Sequence, residues 1–248
     1  MKIKTISYSL SDVGVKRDHN EDSLSAEDHH SLYVIADGMG GHLGGETASK
    51  LAIETITQYM QNSKEHPNQQ ERVESAIQHA CAAIYNASRD NALLSGMGTT
   101  TSLLYIHRET AYIAHVGDSR IYLVRNDAIQ QISDDHSLVN EQVKAGIITA
   151  DEARNSVYKN IITRSVGFEE SVKVDLIEFS VEYGDCFILC SDGLSNLVEE
   201  HELLEITKQC YLSDLPEKFV EIANSRGGDD NISVIISLIT ADDNQAFI

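Results

Sequence analysis

The sequence predicts an α+β fold in four layers, α-β-β-α, with two mainly antiparallel sheets packed face to face and helix pairs on their outer surfaces. Three observations predict it. Short apolar runs rich in β-branched and aromatic residues recur along the 248-residue chain and read as buried strands. Several follow one another through links too short for a crossover, so they pair antiparallel. Between and after them lie segments with apolar residues at three- and four-residue steps, the pattern of helices with one buried face.

In chain order, Met1–Ser9 alternates polar and apolar residues, as a first strand does and a signal peptide does not. Leu32–Ala36 is a short, wholly apolar strand. Two amphipathic helices follow, one carrying Ala48, Leu51, Ala52, Thr55, Ile56, Tyr59 and Met60, the other Val73, Ala76, Ile77, Ala80, Cys81, Ile84 and Ala87. The polar stretch Gln61–Asn68 joins them as an antiparallel pair on one face of a sheet. Runs at Thr99–Ile106, Thr110–Val116 and Ser119–Val124 form a meander, with a hairpin turn at Asn126-Asp127. From Asp134 to Arg164 the pattern is helical, with a capping box at Thr149–Glu152 and a small apolar face of Val143, Ile147 and Ile148, too little for a core of its own. Strands at Val172–Phe179, Cys186–Cys190 and Asn231–Ile239 bracket helices near Glu202–Cys210 and Asp214–Asn224. No repeat, low-complexity tract or linker divides the chain, so residues 1–248 are expected to form one domain.

The formal charge of −20 argues against binding to nucleic-acid phosphates or anionic membranes. No apolar run approaches the length of a membrane span. Cys81, Cys186, Cys190 and Cys210 form no Cys-x-x-Cys pair and sit in apolar stretches, as reduced thiols of a cytoplasmic protein do. The Asn231-Ile232-Ser233 sequon is then a chance match within a strand.

The chemistry lies in four acidic pairs: Asp37-Gly38, Gly117-Asp118, Asp192-Gly193 and Asp229-Asp230. Three close apolar runs, so strands deliver their carboxylates to the edge of a core. Carboxylates crowded there repel, and shared protons or hard cations relieve them. Gly38–Gly45 is glycine-rich between a strand and a helix, but the dinucleotide fingerprint would need glycine at Leu43, and no Gly-Lys-Ser/Thr is present. The glycines instead let the backbone approach closely after Asp37, so that the Gly38 carbonyl can face a cation. An all-oxygen donor set favours Mg²⁺ or Mn²⁺ over zinc. Thr99, Thr100, Ser119 and Ser191 lack the setting of a serine-hydrolase nucleophile.

Taken together, Arg17 with Asn20-Glu21-Asp22, Ala36–His42, Met97–Thr100, His115–Arg120, Ile162–Gly167, Cys190–Gly193 and Gly228–Ser233 resemble, in this order, a bacterial type 2C protein phosphatase of the metal-dependent PPM family. The resemblance spans nearly the whole chain. It implies a helix-flanked β-sandwich with two Mn²⁺ or Mg²⁺ ions in a cleft, hydrolysing phosphoserine and phosphothreonine in proteins. By position, Asp37 would bridge both ions, the Gly38 carbonyl would help bind the first, and Asp192 and Asp230 would complete the second. Asp118 would join Asp192 on a third, weaker ion; Glu21 and Asp22 would act through water, and Arg17 would hold the phosphate. His42 is the candidate general acid, although eukaryotic relatives place a histidine where this chain has Met39. Residues 134–166 correspond to a mobile flap that has Ser156-Val157 where many bacterial relatives have His-Pro. The implied partners are phosphorylated proteins and a Ser/Thr kinase, with the phosphatase a monomer. Two rivals remain: a metal-binding adaptor without activity on the same fold, which would normally lack a ligand, and a hydrolase of small phosphoesters.

Overall fold

Strands that are apolar on both faces must be covered on both faces, and the architecture meets that demand. The computed structural model describes residues 3–241 apart from the His42 side chain, so Met1 and Lys2 of the expected first strand lie outside the described residues. In chain order the strands are β1 (Ile3–Asp12), β2 (Asp22–Glu27), β3 (Leu32–Met39), β4 (Gly98–Thr99), β5 (Thr101–His107), β6 (Thr110–Val116), β7 (Arg120–Arg125), β8 (Ala128–Gln131), β9 (Asp175–Ser180), β10 (Cys186–Cys190) and β11 (Ile232–Ala241). The helices are α1 (His42–Asn62), α2 (Gln69–Asp90), α3 (Leu138–Lys144), α4 (Ala150–Arg154), α5 (Asp192–Ser195), α6 (Glu200–Gln209) and α7 (Leu215–Ser225).

One sheet has the order β1-β11-β10-β7-β8 and the other β2-β3-β5-β6-β9, with β4 paired to β3. Every pairing is antiparallel. The two-residue period of a strand sorts its side chains between layers. On β3, Leu32, Val34 and Ala36 pack under α1 and α2, while Tyr33 and Ile35 enter the space between the sheets. On β10, Cys186, Ile188 and Cys190 pack under α6 and α7, while Phe187 and Leu189 meet the other sheet. Both strands are therefore buried throughout, which is why they read as unbroken apolar runs instead of alternating ones. The result is the four-layer sandwich expected.

Several details differ from expectation. The run at Thr99–Ile106 is broken at Thr100 into β4 and β5, because the Thr100 N–H donates to the Asp37 carbonyl (2.9 Å) instead of continuing one ladder. The strand expected from Val172 begins at Asp175. Helix α1 starts at His42, so Gly44 and Gly45 are helical and not a loop before it. Two strands lacked a clear signal: β2 is largely polar, and β8 is only four residues long. Asn126 and Asp127, both at positive φ (50° and 62°), make the hairpin turn into β8. In the insert the capping box forms, but between Asp134 and Arg164 the buried apolar residues are Val139 and Ala153, whereas Ile147 is exposed. The insert is too small to turn its expected apolar face onto a core, so its few buried contacts come from where it meets the sandwich.

Candidate metal centre

The carboxylates meet at one end of the sandwich, and local backbone chemistry brings each there. Asp37 and Asp22 are direct cross-strand partners of β3 and β2, which places their Cβ atoms about 5 Å apart. The Asp37 backbone is clamped: its N–H donates to Thr100 Oγ1 (2.9 Å), and its carbonyl accepts from Thr99 Oγ1 (2.8 Å) and the Thr100 N–H. Asp118 leaves β6 through Gly117, whose φ of 111° and close approach to Thr100 exclude a side chain. Asp192 opens α5 directly after β10. A Cβ at Gly193 would strike the Asn231 carbonyl oxygen, so glycine there lets the loop carrying Asp230 press onto α5. Gly38 is packed as tightly, against the carbonyls of Gly45 and Glu21, and its N–H donates to the Glu21 carbonyl (3.2 Å). The Glu21 carboxylate in turn lies over Gly45.

Burial and mutual repulsion show in the proton affinities. Asp37 is held well above the usual carboxylate range, first by burial and then by the charges of Asp22, Asp192, Asp118 and Asp230. Burial pushes Asp22 up to about 7; the Ser233 and Ser191 hydroxyls moderate it, and Asp192 and Asp230 add to it. Neither hydroxyl completes a hydrogen bond to Asp22, since they bond Ser11 and the Asn231 carbonyl instead, so both Asp22 oxygens are buried without a partner, as is Asp192 Oδ1. Asp118 rises to about 8 through burial, Asp192 and Asp135. Asp192 rises to about 6 through burial and Asp230, against the pull of Lys159, Arg120 and Arg17.

Asp230 is placed differently. Its Oδ2 accepts from Arg17 NH2 (2.7 Å) and its Oδ1 from the Asn231 N–H (2.8 Å). Arg17, expected to face phosphate, thus rests on a carboxylate of the cluster through one NH2 contact, one of the five N–H donors a guanidinium carries. Asp229, the other half of its pair, stands outside the cluster and pairs with Lys16. His42 begins the helix beside the site, and its side chain lies outside the described residues.

The donor set fits hard divalent cations. Buried carboxylate oxygens without partners are what such a cation would satisfy, and no thiolate takes part. Among the described residues no three His, Cys, Asp or Glu side chains close on one point as a finished cage. A small hard cation here would fill its shell with carbonyl oxygen and water, as Mg²⁺ commonly does.

One structural residue escaped the sequence reading. Asn231 accepts the Glu21 N–H at its Oδ1 (2.8 Å) and donates through Nδ2 to the carbonyls of Val13 and His19 (both 2.9 Å). It fastens the Arg17–Asp22 segment to the loop carrying Asp230. Its place in the Gly228–Ser233 motif, directly after two aspartates, signalled the segment but not this role, and the apparent sequon obscured it.

Comparison with known proteins places nearly the whole chain beside one family. A family model for protein phosphatase 2C matches residues 15–227. The serine/threonine phosphatase stp of Listeria innocua is 37% identical over 232 residues, covering 91% of this chain and 92% of that protein. Protein phosphatase PhpP of Streptococcus pneumoniae is 37% identical over 240 residues, covering 94% and 97%. Among solved structures, the serine/threonine phosphatase PstP/Ppp of Mycobacterium tuberculosis superposes with a TM-score of 0.91 at 31% identity, covering 96% of this chain and all of that one. The catalytic domain of PstP in complex with two manganese ions gives 0.88 at 30% identity, with the same coverage.

Proposed function

The chain belongs to the protein phosphatase 2C family and is a metal-dependent serine/threonine phosphatase, and from that premise we propose how its residues divide the work. Asp37, Asp192 and Asp230, with the Gly38 carbonyl, hold two divalent ions, Mn²⁺ or Mg²⁺. Asp118 shares a third, weaker ion with Asp192, and Glu21 and Asp22 act through water. When bound, the ions supply a water of lowered pKa for in-line attack on phosphorus and offset charge on the phosphoryl oxygens. The convergence of five carboxylates around partnerless buried oxygens carries this assignment.

The remaining steps belong to this chain's own groups. Arg17 sits at the rim, anchored through one NH2 contact to Asp230, and its free donors can grip two phosphate oxygens. The carboxylates exclude an unneutralised phosphate by repulsion, so substrate enters only when the cluster is charge-compensated. His42, at the first position of α1, is the group proposed to give a proton to the departing serine or threonine oxygen. Residues 134–166 form a flap on a single phosphatase domain; of the span 1–248 expected for it, residues 1–2 and 242–248 lie outside the described residues.

The substrates are phosphoproteins, and a Ser/Thr kinase must write what this enzyme erases. We assign it to the cytoplasm as a monomer: its four cysteines are free, and among the described residues no helix is long and apolar enough to cross a membrane. Light scattering reads the monomer directly.

The decisive experiment measures phosphate release from a phosphothreonine peptide with Mn²⁺ or chelator, by the wild type and Asp192→Ala, alongside calorimetry of Mn²⁺ binding. Mn²⁺ uptake and turnover by the wild type, both lost in the variant, are expected. A wild type that takes up no Mn²⁺ overturns the site; uptake without turnover makes it an adaptor; activity on para-nitrophenyl phosphate but on no phosphopeptide makes it a small-ester hydrolase.

A further inference from the structure

At the opposite end of β3 from Asp37 the local charge reverses. A cavity of about 350 Å³ opens there between the β2–β3 turn, the C-terminal end of α1, the first turn of α2 and the end of β5. That volume is at the small end of ligand pockets. Its wall carries Arg72, Lys64, His29, His30 and His107 and no aspartate or glutamate, in a chain with 39 acidic and 19 basic residues. The inversion is local and pronounced.

Arg72 is the deepest of these groups, only 3% exposed. Its Nε donates to Ser63 Oγ (3.1 Å), and its NH1 to Gln69 Oε1 (2.9 Å) and Tyr105 Oη (3.0 Å). Its NH2 donates to the Met60 carbonyl, and the guanidinium lies 5.0 Å from the Tyr105 ring centre. These ties explain how Arg72 staples the α1–α2 hairpin. They leave one of the five guanidinium protons uncommitted, and every acceptor is neutral. Burying an ion costs several kcal/mol unless a counter-charge offsets it, and among the described residues no carboxylate pairs with Arg72 or Lys64. Glu27, outside the wall, is engaged by His30 Nδ1 (2.6 Å) and Gln61 (3.5 Å). The positive potential reaches His107, whose proton affinity is lowered by burial and then by Arg108 and Arg72.

We propose that this cavity is a second anion site that binds a small organic phosphate, with the phosphate group against Arg72, Lys64 and the imidazoles and the apolar part against Leu32 and Met60. A buried guanidinium charge with one free N–H, beside a lysine and imidazoles, is suited to a phosphate dianion. Leu32 and Asp37 are separated by about 17 Å of extended strand, so the ligand is an effector and not a substrate. The inference does not depend on the catalytic assignment above.

The test titrates the full chain, in EDTA, with phenylphosphonate, which cannot be hydrolysed, and follows the imidazole resonances of His30 and His107 together with the heat of binding. Both resonances shift, and the His107 titration moves upward because the dianion opposes the field of Arg72. Lys64→Glu, at an exposed position, weakens binding at least about tenfold while leaving Mn²⁺-dependent turnover of a phosphopeptide unchanged; Arg17→Ala leaves binding unchanged. The proposal is overturned by silence of both resonances up to about 10 mM probe. It is overturned equally if Arg17→Ala abolishes binding and Lys64→Glu does not, or if benzoate binds as tightly as the phosphonate.

Discussion

Strand β10 has an aspartate at each end, and the fold treats the two in opposite ways. Asp185, just before the strand, is 1% exposed and fully engaged. Its Oδ1 accepts from Arg125 Nε (2.7 Å), and its Oδ2 accepts from Arg125 NH2 (2.6 Å) and the Glu182 N–H (2.7 Å). Asp192, just after the strand, has one oxygen bonded to Asn196 Nδ2 (3.1 Å) and the other buried without a partner, among like charges. At the first end the protein supplies the counter-charge, and every oxygen of the buried carboxylate has a donor. At the second it withholds it, and the free energy left unrecovered is available to a bound cation, which stabilises whichever state it binds.

Exchanging the two residues' fates gives the largest effect. Asp192→Ala should lower Mn²⁺-dependent turnover by about 10³-fold or more, since metal stabilisation of the transition state amounts to several kcal/mol. The chelated protein should be no less stable, because a repelling charge has gone. Asp185→Asn should do the reverse: activity per folded molecule is kept, while denaturant melts show about 2–4 kcal/mol lost as the Arg125 charge is stranded. If each variant lost both properties alike, the distinction would be gone.

Next in size is pH dependence. The carboxylates of Asp192, Asp22 and Asp118 have folded-state pKa values raised to about 6, 7 and 8, above their ordinary value of 3.8. Between those limits the folded state binds more protons than the unfolded one, so stability falls as pH rises. Without metal, the chain should therefore be most stable at the acidic side of about pH 5 to 8 and lose stability toward pH 8. Saturating Mn²⁺ should oppose that trend, since cation binding requires deprotonated ligands and strengthens as pH rises. Thermal melts in EDTA and in Mn²⁺ across this range read both slopes. A chelated protein whose stability stays flat across this range would mean that these acids are ionised in both states and are not held protonated by burial and mutual repulsion.

Arg17 sharpens the comparison, as the cation that pairs with an acid at the open end. Arg17→Ala should lower kcat/KM on a phosphopeptide by about 10- to 100-fold, the worth of a charge-assisted hydrogen bond. Stability should change by less than about 1 kcal/mol, because the Arg17–Asp230 pair is 49% and 29% exposed. Were Arg17 a counter-ion in the manner of Arg125, the melting temperature would fall with activity intact.

The same asymmetry governs what could be read from the sequence. The unbroken apolar runs of β3 and β10 and the helical spacing of α1 and α2 expose the buried layers, because two-sided burial writes itself into every position. The aspartates that close those runs follow from the same pattern. Asp22 is harder: β2 reads Asp-Ser-Leu-Ser-Ala-Glu, and only the pairing register sets it opposite Asp37. Register is a tertiary property that a local window does not contain. The roles of Asn231 and Thr100 are unreadable for a related reason, since each acts through backbone groups of segments distant in sequence. Asp185 has an acid's composition but a core residue's role, which Arg125, sixty positions away, decides.

The finest probe is Asn196→Ala. Asn196 lies four residues after Asp192 and donates to its Oδ2 at 3.1 Å, so at present it is the side chain fixing how that carboxylate is turned. Removing an exposed neutral donor should change chelated stability by less than about 1 kcal/mol. Its effect should instead appear in metal affinity, because a partner that orients a liganding carboxylate is worth about tenfold. Calorimetry should thus show Mn²⁺ binding about tenfold weaker with the melt in EDTA nearly unmoved, a split that Arg125→Ala, acting on Asp185, would invert. Undiminished affinity would mean that the start of α5 aims Asp192 unaided, and that the open end of β10 is set by backbone geometry alone.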